Sequence, residues 1–192
     1  MKTKNLFACL TLALSCVAGN AQATLLDGKV VGFQYYYPTL GSPYAYAANG
    51  NYLVGENVEV GNVVDDVAQL DLSDKNLLVS FLPPLEFFMP TAGNFHYSAF
   101  NGFVIYDAFN TIDDFVSVTI NPLSNLAGFD TSRLSFDANH IWINWAGLSY
   151  DLGSSVLLID INRDAQAVPE PESLALLALA LLGFAGIRRS LR

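Results

Sequence analysis

Cysteine and histidine are scarce in this 192-residue chain: Cys9 and Cys16 are the two cysteines, His96 and His140 the two histidines. No H-x₃-H or H-E-x-x-H spacing occurs, so zinc and thiol chemistry lack ligands, and neither a metal nor a cofactor is expected. Basic residues are also few. Lys plus Arg number 9 against 18 Asp plus Glu, a net charge of −9. Such a surface repels phosphate backbones instead of releasing their counterions, which argues against nucleic acid as a partner. A G-x-S-x-G nucleophile elbow and a glycine-rich phosphate cradle are both missing. Between the two ends, no window longer than about ten residues carries an apolar repeat of 3.6 residues, so no amphipathic helix is expected there. What the chain does hold is 52% hydrophobic and 12% aromatic residues with 14% charged ones. That excludes a disordered polar chain and suits one domain with a sizeable core.

The N-terminus carries Lys2 and Lys4, an apolar run from Leu6 to Val17, and Ala21-Gln22-Ala23 before Thr24. A charged start, an apolar helix-forming segment and small side chains, in that order, read as a secretory signal peptide over 1–23. The partners expected from it are the Sec translocon and signal peptidase, with cleavage after Ala23 recognising Ala21 and Ala23 and leaving Thr24 first. The alternatives are an ordinary buried helix, or a lipid anchor on Cys16, which lacks the leucine usually wanted three places earlier. Removal of residues 1–23 takes both cysteines, so the mature domain has no disulfide and must rely on packed apolar surface.

The composition shifts again after Ala167. Val168-Pro169-Glu170-Pro171 leads through Glu172-Ser173 into an unbroken apolar run from Leu174 to Ile187, followed by Arg188, Arg189 and Arg192. Two prolines with fixed φ make the first part an extended hinge. The run reads as a short transmembrane helix over 174–187. Its length of roughly 21 Å falls short of a ~30 Å hydrocarbon core, and snorkelling arginines extend its reach. Positive charge after the run holds the C-terminus in the cytoplasm, and signal cleavage places the domain outside.

On these residues the tail resembles a PEP-CTERM sorting signal. Pro169, Glu170 and Pro171 match the namesake triplet, Leu174 to Leu182 the apolar span, Gly183 and Gly186 its small residues, and Arg188 and Arg189 the basic stop. A similar tail carries the label of an ice-binding-protein C-terminal domain, a label without bearing on the rest of the chain. The resemblance implies recognition by an exosortase, a membrane-embedded transpeptidase-like enzyme of Gram-negative bacteria that make extracellular polysaccharide. The protein would be anchored transiently in the inner membrane, cut near the triplet, and passed to the cell surface or a biofilm matrix. The competing reading is a permanent single-span anchor.

Residues 24–167 form the central domain, with 16 acidic and four basic residues, a balance of −12. Its aromatic load is 11 Phe, 9 Tyr and 2 Trp. Apolar and polar residues alternate in Val116–Ile120 and Arg133–Phe136, the period of a half-buried strand. Further strands are expected over 29–37, 52–60, 76–82, 102–107, 140–145 and 154–161. Turn chemistry at Asp27-Gly28, Asn49-Gly50, Gly61-Asn62, Pro83-Pro84, Asn101-Gly102, Asn121-Pro122 and Asp137-Ala138-Asn139 separates them. The expectation is an all-β domain, an antiparallel β-sandwich or flattened barrel.

On the strand from His140, one face carries Ile141, Ile143 and Trp145, the other His140, Trp142 and Asn144. If the first is core, the second offers an indole between polar neighbours that can stack on a sugar ring, and Gln34 and Tyr36 pair similarly. The alternative is that both faces are covered and Trp142 is core, as large aromatics commonly are. Asp65-Asp66 and Asp113-Asp114 fall in expected loops and could hold Ca²⁺. Without a D-x-D-x-D-G loop they read more simply as solvated charges, as do Asp71 and Asp74. The leading expectation is an exported, non-enzymatic surface or matrix protein, structural or adhesive. A carbohydrate-binding module for exopolysaccharide comes second and a small glycoside hydrolase third.

Overall fold

The computed structural model describes residues 24–84 and 91–162. The signal helix over 1–23, the transmembrane helix over 174–187 and the sorting residues Pro169, Glu170, Pro171, Arg188 and Arg189 lie outside the described residues, as do Ala21 and Ala23. Among the described residues the only helical element is one 3₁₀ turn, Thr131–Arg133, and no helix is long and apolar enough to cross a membrane.

Among the described residues, twelve strands make three antiparallel sheets. The first sheet holds β1 (Val30–Tyr36), β2 (Gly50–Leu53), β7 (Gly102–Asp107), β9 (Leu134–Phe136) and β10 (His140–Asn144), in the order β2-β1-β7-β10-β9. The second holds β3 (Val60–Val64), β4 (Ala68–Ser73), β5 (Asn76–Phe81), β8 (Val118–Ile120) and β12 (Val156–Ile161), in the order β3-β4-β5-β12-β8. A short ribbon pairs β6 (Ala92–Asn94) with β11 (Ser149–Asp151).

Alternation builds the core. Val31, Phe33, Tyr35, Phe103, Ile105, Ile141 and Ile143 point inward from the first sheet, while Leu70, Leu72, Leu77, Val79, Leu157, Ile159 and Ile161 point inward from the second; all belong to one buried cluster. Trp145 stands where the layers meet. Its ring stacks on Phe95 at 4.5 Å and contacts Phe103 of one sheet at 5.2 Å and Phe81 of the other at 6.1 Å. Its Nε1 donates to the Tyr35 hydroxyl at 2.7 Å, and that hydroxyl donates to Asn101 Oδ1 at 2.6 Å. A buried indole and phenol are thereby satisfied inside an otherwise apolar core.

Burial raises the pKa of several tyrosines above the ordinary 10.0: Tyr35 strongly, Tyr44 to about 12 with help from Asp65, and Tyr52 and Tyr150 in the same direction. A folded-state pKa above the unfolded one stabilises fully below the unfolded value and loses that contribution as pH rises through the folded one. These tyrosines should therefore leave stability unchanged up to pH 10.0 and remove it progressively from there through about 12. Tyrosinate absorbance followed alongside circular dichroism checks this. Ionisation of all nine tyrosines near 10.0 with the fold intact would contradict it.

The strand expected over 52–60 is two strand ends joined by a loop. Gly55-Glu56-Asn57 cannot hold an uninterrupted ladder, and the Glu59 carboxylate closes the loop by accepting from Gly55 N at 2.9 Å and Leu72 N at 2.7 Å. Gly61-Asn62, expected as a turn, lies inside β3, where the register with β4 shifts between Val60 and Val64. The turn falls instead at Asp65-Asp66, both with positive φ. Asp71 is part of β4 and not a loop charge. Asp74 is likewise more than a solvated charge, because its Oδ1 accepts the backbone N–H groups of Leu25 and Leu26, which pins the segment beginning at Thr24 against the core.

Candidate functional site

The outer face of the first sheet carries three cross-strand rows. Gln34, Val104, Trp142 and Ser135 stand side by side, as do Gly32, Tyr106 and His140, and as do Tyr36, Gly102 and Asn144. The middle strand, β7, contributes the small residues Gly102 and Val104 between taller neighbours on β1 and β10. A depression follows from that difference in side-chain height. Its volume is ≈ 410 Å³, its floor includes Val104, and Gln34, Tyr36, Tyr106, His140 and Trp142 wall it, with Leu40 and Gly41 reaching in from the loop after β1.

Gly32 is what places Tyr106. A Cβ added there would lie 2.2 Å from the Tyr106 ring, so the phenol fills the space of the missing side chain opposite it. His140 is oriented from the other side. Its Nδ1 lies 3.0 Å from Asp137 Oδ1, in the turn between β9 and β10. The Asp137 carboxyl is held below its usual range by the Asn139 N–H and then by His140. The imidazole stacks on Trp142 at 5.1 Å and 24°.

The two faces of β10 divide as the alternation requires: Ile141, Ile143 and Trp145 are fully buried, while His140, Trp142 and Asn144 face outward and are partly exposed. Trp142 is therefore not a core residue. The expectation of an open indole flanked by two free polar groups needs correction in two respects. His140 covers one face of the ring. Asn144 is occupied with structure, since its Oδ1 accepts Asn101 N and Ala146 N, both at 3.1 Å, and it does not line the depression. The structure thus gathers Tyr36, His140 and Trp142, together with Gln34, and adds Tyr106 and Val104, which carry no sequence signal beyond lying on one strand.

Among the described residues no carboxylate lines the depression. Asp113 and Asp114 are exposed in the loop between β7 and β8. Among the described residues no group of three His, Cys, Asp or Glu is placed to hold a metal ion. Asp107 is a loop anchor: burial raises its pKa, but N–H donors from Ile112, Thr111, Phe109 and Asn110 outweigh this and hold it low.

The architecture is that of an antiparallel all-β domain followed by a C-terminal address. Residues 167–190 match the family model of the PEP-CTERM protein-sorting motif, which makes that tail a sorting signal and implies export with an exosortase as processing partner. No curated protein and no solved structure matches the chain.

Proposed function

We propose that this chain is an exported protein delivered to the cell surface or extracellular matrix, where it acts through structure or adhesion without catalysis. The sorting tail at 167–190 carries this reading. The route runs through the Sec translocon, signal peptidase and a transient inner-membrane anchor before the exosortase acts. The acidic balance of the domain favours solubility and mutual repulsion after release. The test is the intact mass of the exported protein in cells with and without an exosortase. A product starting at Thr24 and ending near Pro169-Glu170-Pro171 is expected when the enzyme is present. A mass that retains Arg192 in both backgrounds identifies a permanent anchor and ends the sorting proposal.

A second reading is favoured by the outer-face depression. Trp142, Tyr36 and Tyr106 offer ring surface, and Gln34 and His140 offer hydrogen bonds, a combination suited to a sugar unit of exopolysaccharide. Trp142→Ala is expected to weaken glycan binding at least tenfold, about 1.4 kcal/mol. Array binding that survives this change removes the face from consideration. Glycoside hydrolysis is the least supported reading, because two facing carboxylates are needed and the depression supplies none.

A further inference from the structure

A second, smaller cleft lies away from the outer face of the first sheet. Its volume is ≈ 70 Å³, and it is walled by Tyr37 and Tyr44 from the loop after β1, Phe95 from the segment after β6, Tyr150 of β11, and Asp65 from the β3–β4 turn. Tyr37 and Tyr44 meet at 82° with centroids 5.9 Å apart, so they form two perpendicular walls. The Tyr150 ring is held by Phe81 and Phe95, both at 4.8 Å, and occupies the space a side chain at Gly93 would take.

Among the described residues Asp65 is the only carboxylate in the lining, which holds no lysine or arginine and has His96 at its edge beside Tyr37. Its Oδ1 accepts the Tyr44 hydroxyl at 2.8 Å. No other hydrogen bond occupies the Asp65 carboxylate among the described residues. The charge of Asp65 reaches further into the cleft, where it adds to burial in raising the pKa values of Tyr35, Tyr44 and Tyr150. Negative ring faces and one carboxylate, in a domain of strongly acidic balance, make a cleft that attracts positive charge. Size narrows the ligand. An apolar cavity of about 150 Å³ takes benzene, so this volume takes a compact head group while the remainder of the ligand extends through the open side.

We propose that this cleft binds an alkylammonium group, primary or methylated, through cation–π contact with Tyr37, Tyr44 and Tyr150 and charge pairing with Asp65. The decisive variant is Asp65→Asn. Position 65 has φ 47° in the three-residue turn between β3 and β4, a conformation asparagine adopts more readily than most residues, so the variant keeps the turn while losing the charge. The exported protein, in an uncharged detergent, would be titrated with choline, n-butylammonium and 3,3-dimethyl-1-butanol, the neutral isostere of choline, with the ring protons of Tyr37, Tyr44 and Tyr150 read by NMR. Saturable shifts are expected from at least one ammonium, weakened tenfold or more in Asp65→Asn and absent for the alcohol. The two ammonium arms separate primary from quaternary preference. No saturable shift with either cation, equal affinity for the alcohol, or binding within threefold in Asp65→Asn overturns the proposal.

Discussion

Gly102→Ala is expected to leave little folded protein. Gly102 sits on β7, the middle strand of its sheet, paired with Tyr36 on one side and Asn144 on the other. A Cβ built at this position lies 1.9 Å from the carbonyl oxygen of Ile143 and 2.9 Å from its carbonyl carbon. Those atoms are backbone, so no rotamer change relieves the overlap; β10 itself would have to move. The shift would propagate at once, because Asn101 N bonds Asn144 Oδ1 and Trp145 N bonds the Asn101 carbonyl. Overpacking costs about 1–3 kcal/mol where side chains can adjust, and a clash with backbone belongs at or beyond the upper end. Gly61→Ala is the control, since its added methyl meets nothing within 4 Å. Denaturant unfolding of the two variants checks the contrast. A Gly102→Ala protein that unfolds within about 1 kcal/mol of wild type would mean the two strands are not this close.

Tyr35→Phe is expected to cost about 2–4 kcal/mol, although it removes a single oxygen. The missing hydroxyl is both the acceptor for Trp145 Nε1 and the donor to Asn101 Oδ1. Trp145 is fully buried and Asn101 is 6% exposed, so water does not readily replace either bond. Two desolvated polar groups left without partners carry most of the cost, and lost ring contact carries almost none. For a domain of this size that corresponds to a melting temperature lower by roughly 5–15 °C. Tyr97→Phe, at a position 92% exposed, should change stability by less than about 0.5 kcal/mol. Calorimetry of both variants provides the measurement. A loss below about 1 kcal/mol for Tyr35→Phe would mean the pair finds other partners.

Much of the fold can be read from local pattern because a strand with one face in the core must alternate, and the alternation is written in the residues. β5 and β10 follow it closely, and Ile141, Ile143 and Trp145 divide from His140, Trp142 and Asn144 as period two demands. Composition misleads where polar residues serve the backbone. Asp71 and Asp74 resemble solvated loop charges, yet one belongs to a strand and the other holds two N–H groups of the N-terminal segment. β6 and β11 are three residues each, too short for periodicity to register, and exist because each is the other's partner.

The candidate sites were legible only in part. Tyr36 and Trp142 announce themselves as aromatics on outward-facing strand positions. Tyr106 does not, because its place depends on a missing side chain at Gly32, 74 residues away in sequence and opposite it across the β1–β7 pairing. The tyrosine cleft is more remote still. It draws on five separate stretches of chain, and no spacing along the sequence encodes their meeting.

The residues alone determined most of the strands, the charge and the address at the tail, because each depends on local chemistry that requires no distant partner. Tertiary structure decided which strands neighbour one another, that His140 would cover one face of Trp142 while Asn144 turned to the backbone, and that Asp65 would share one cleft with the rings of Tyr37, Tyr44, Phe95 and Tyr150. Those outcomes depend on cross-strand register and on the heights of opposing side chains, quantities that come into being only when distant segments pack together.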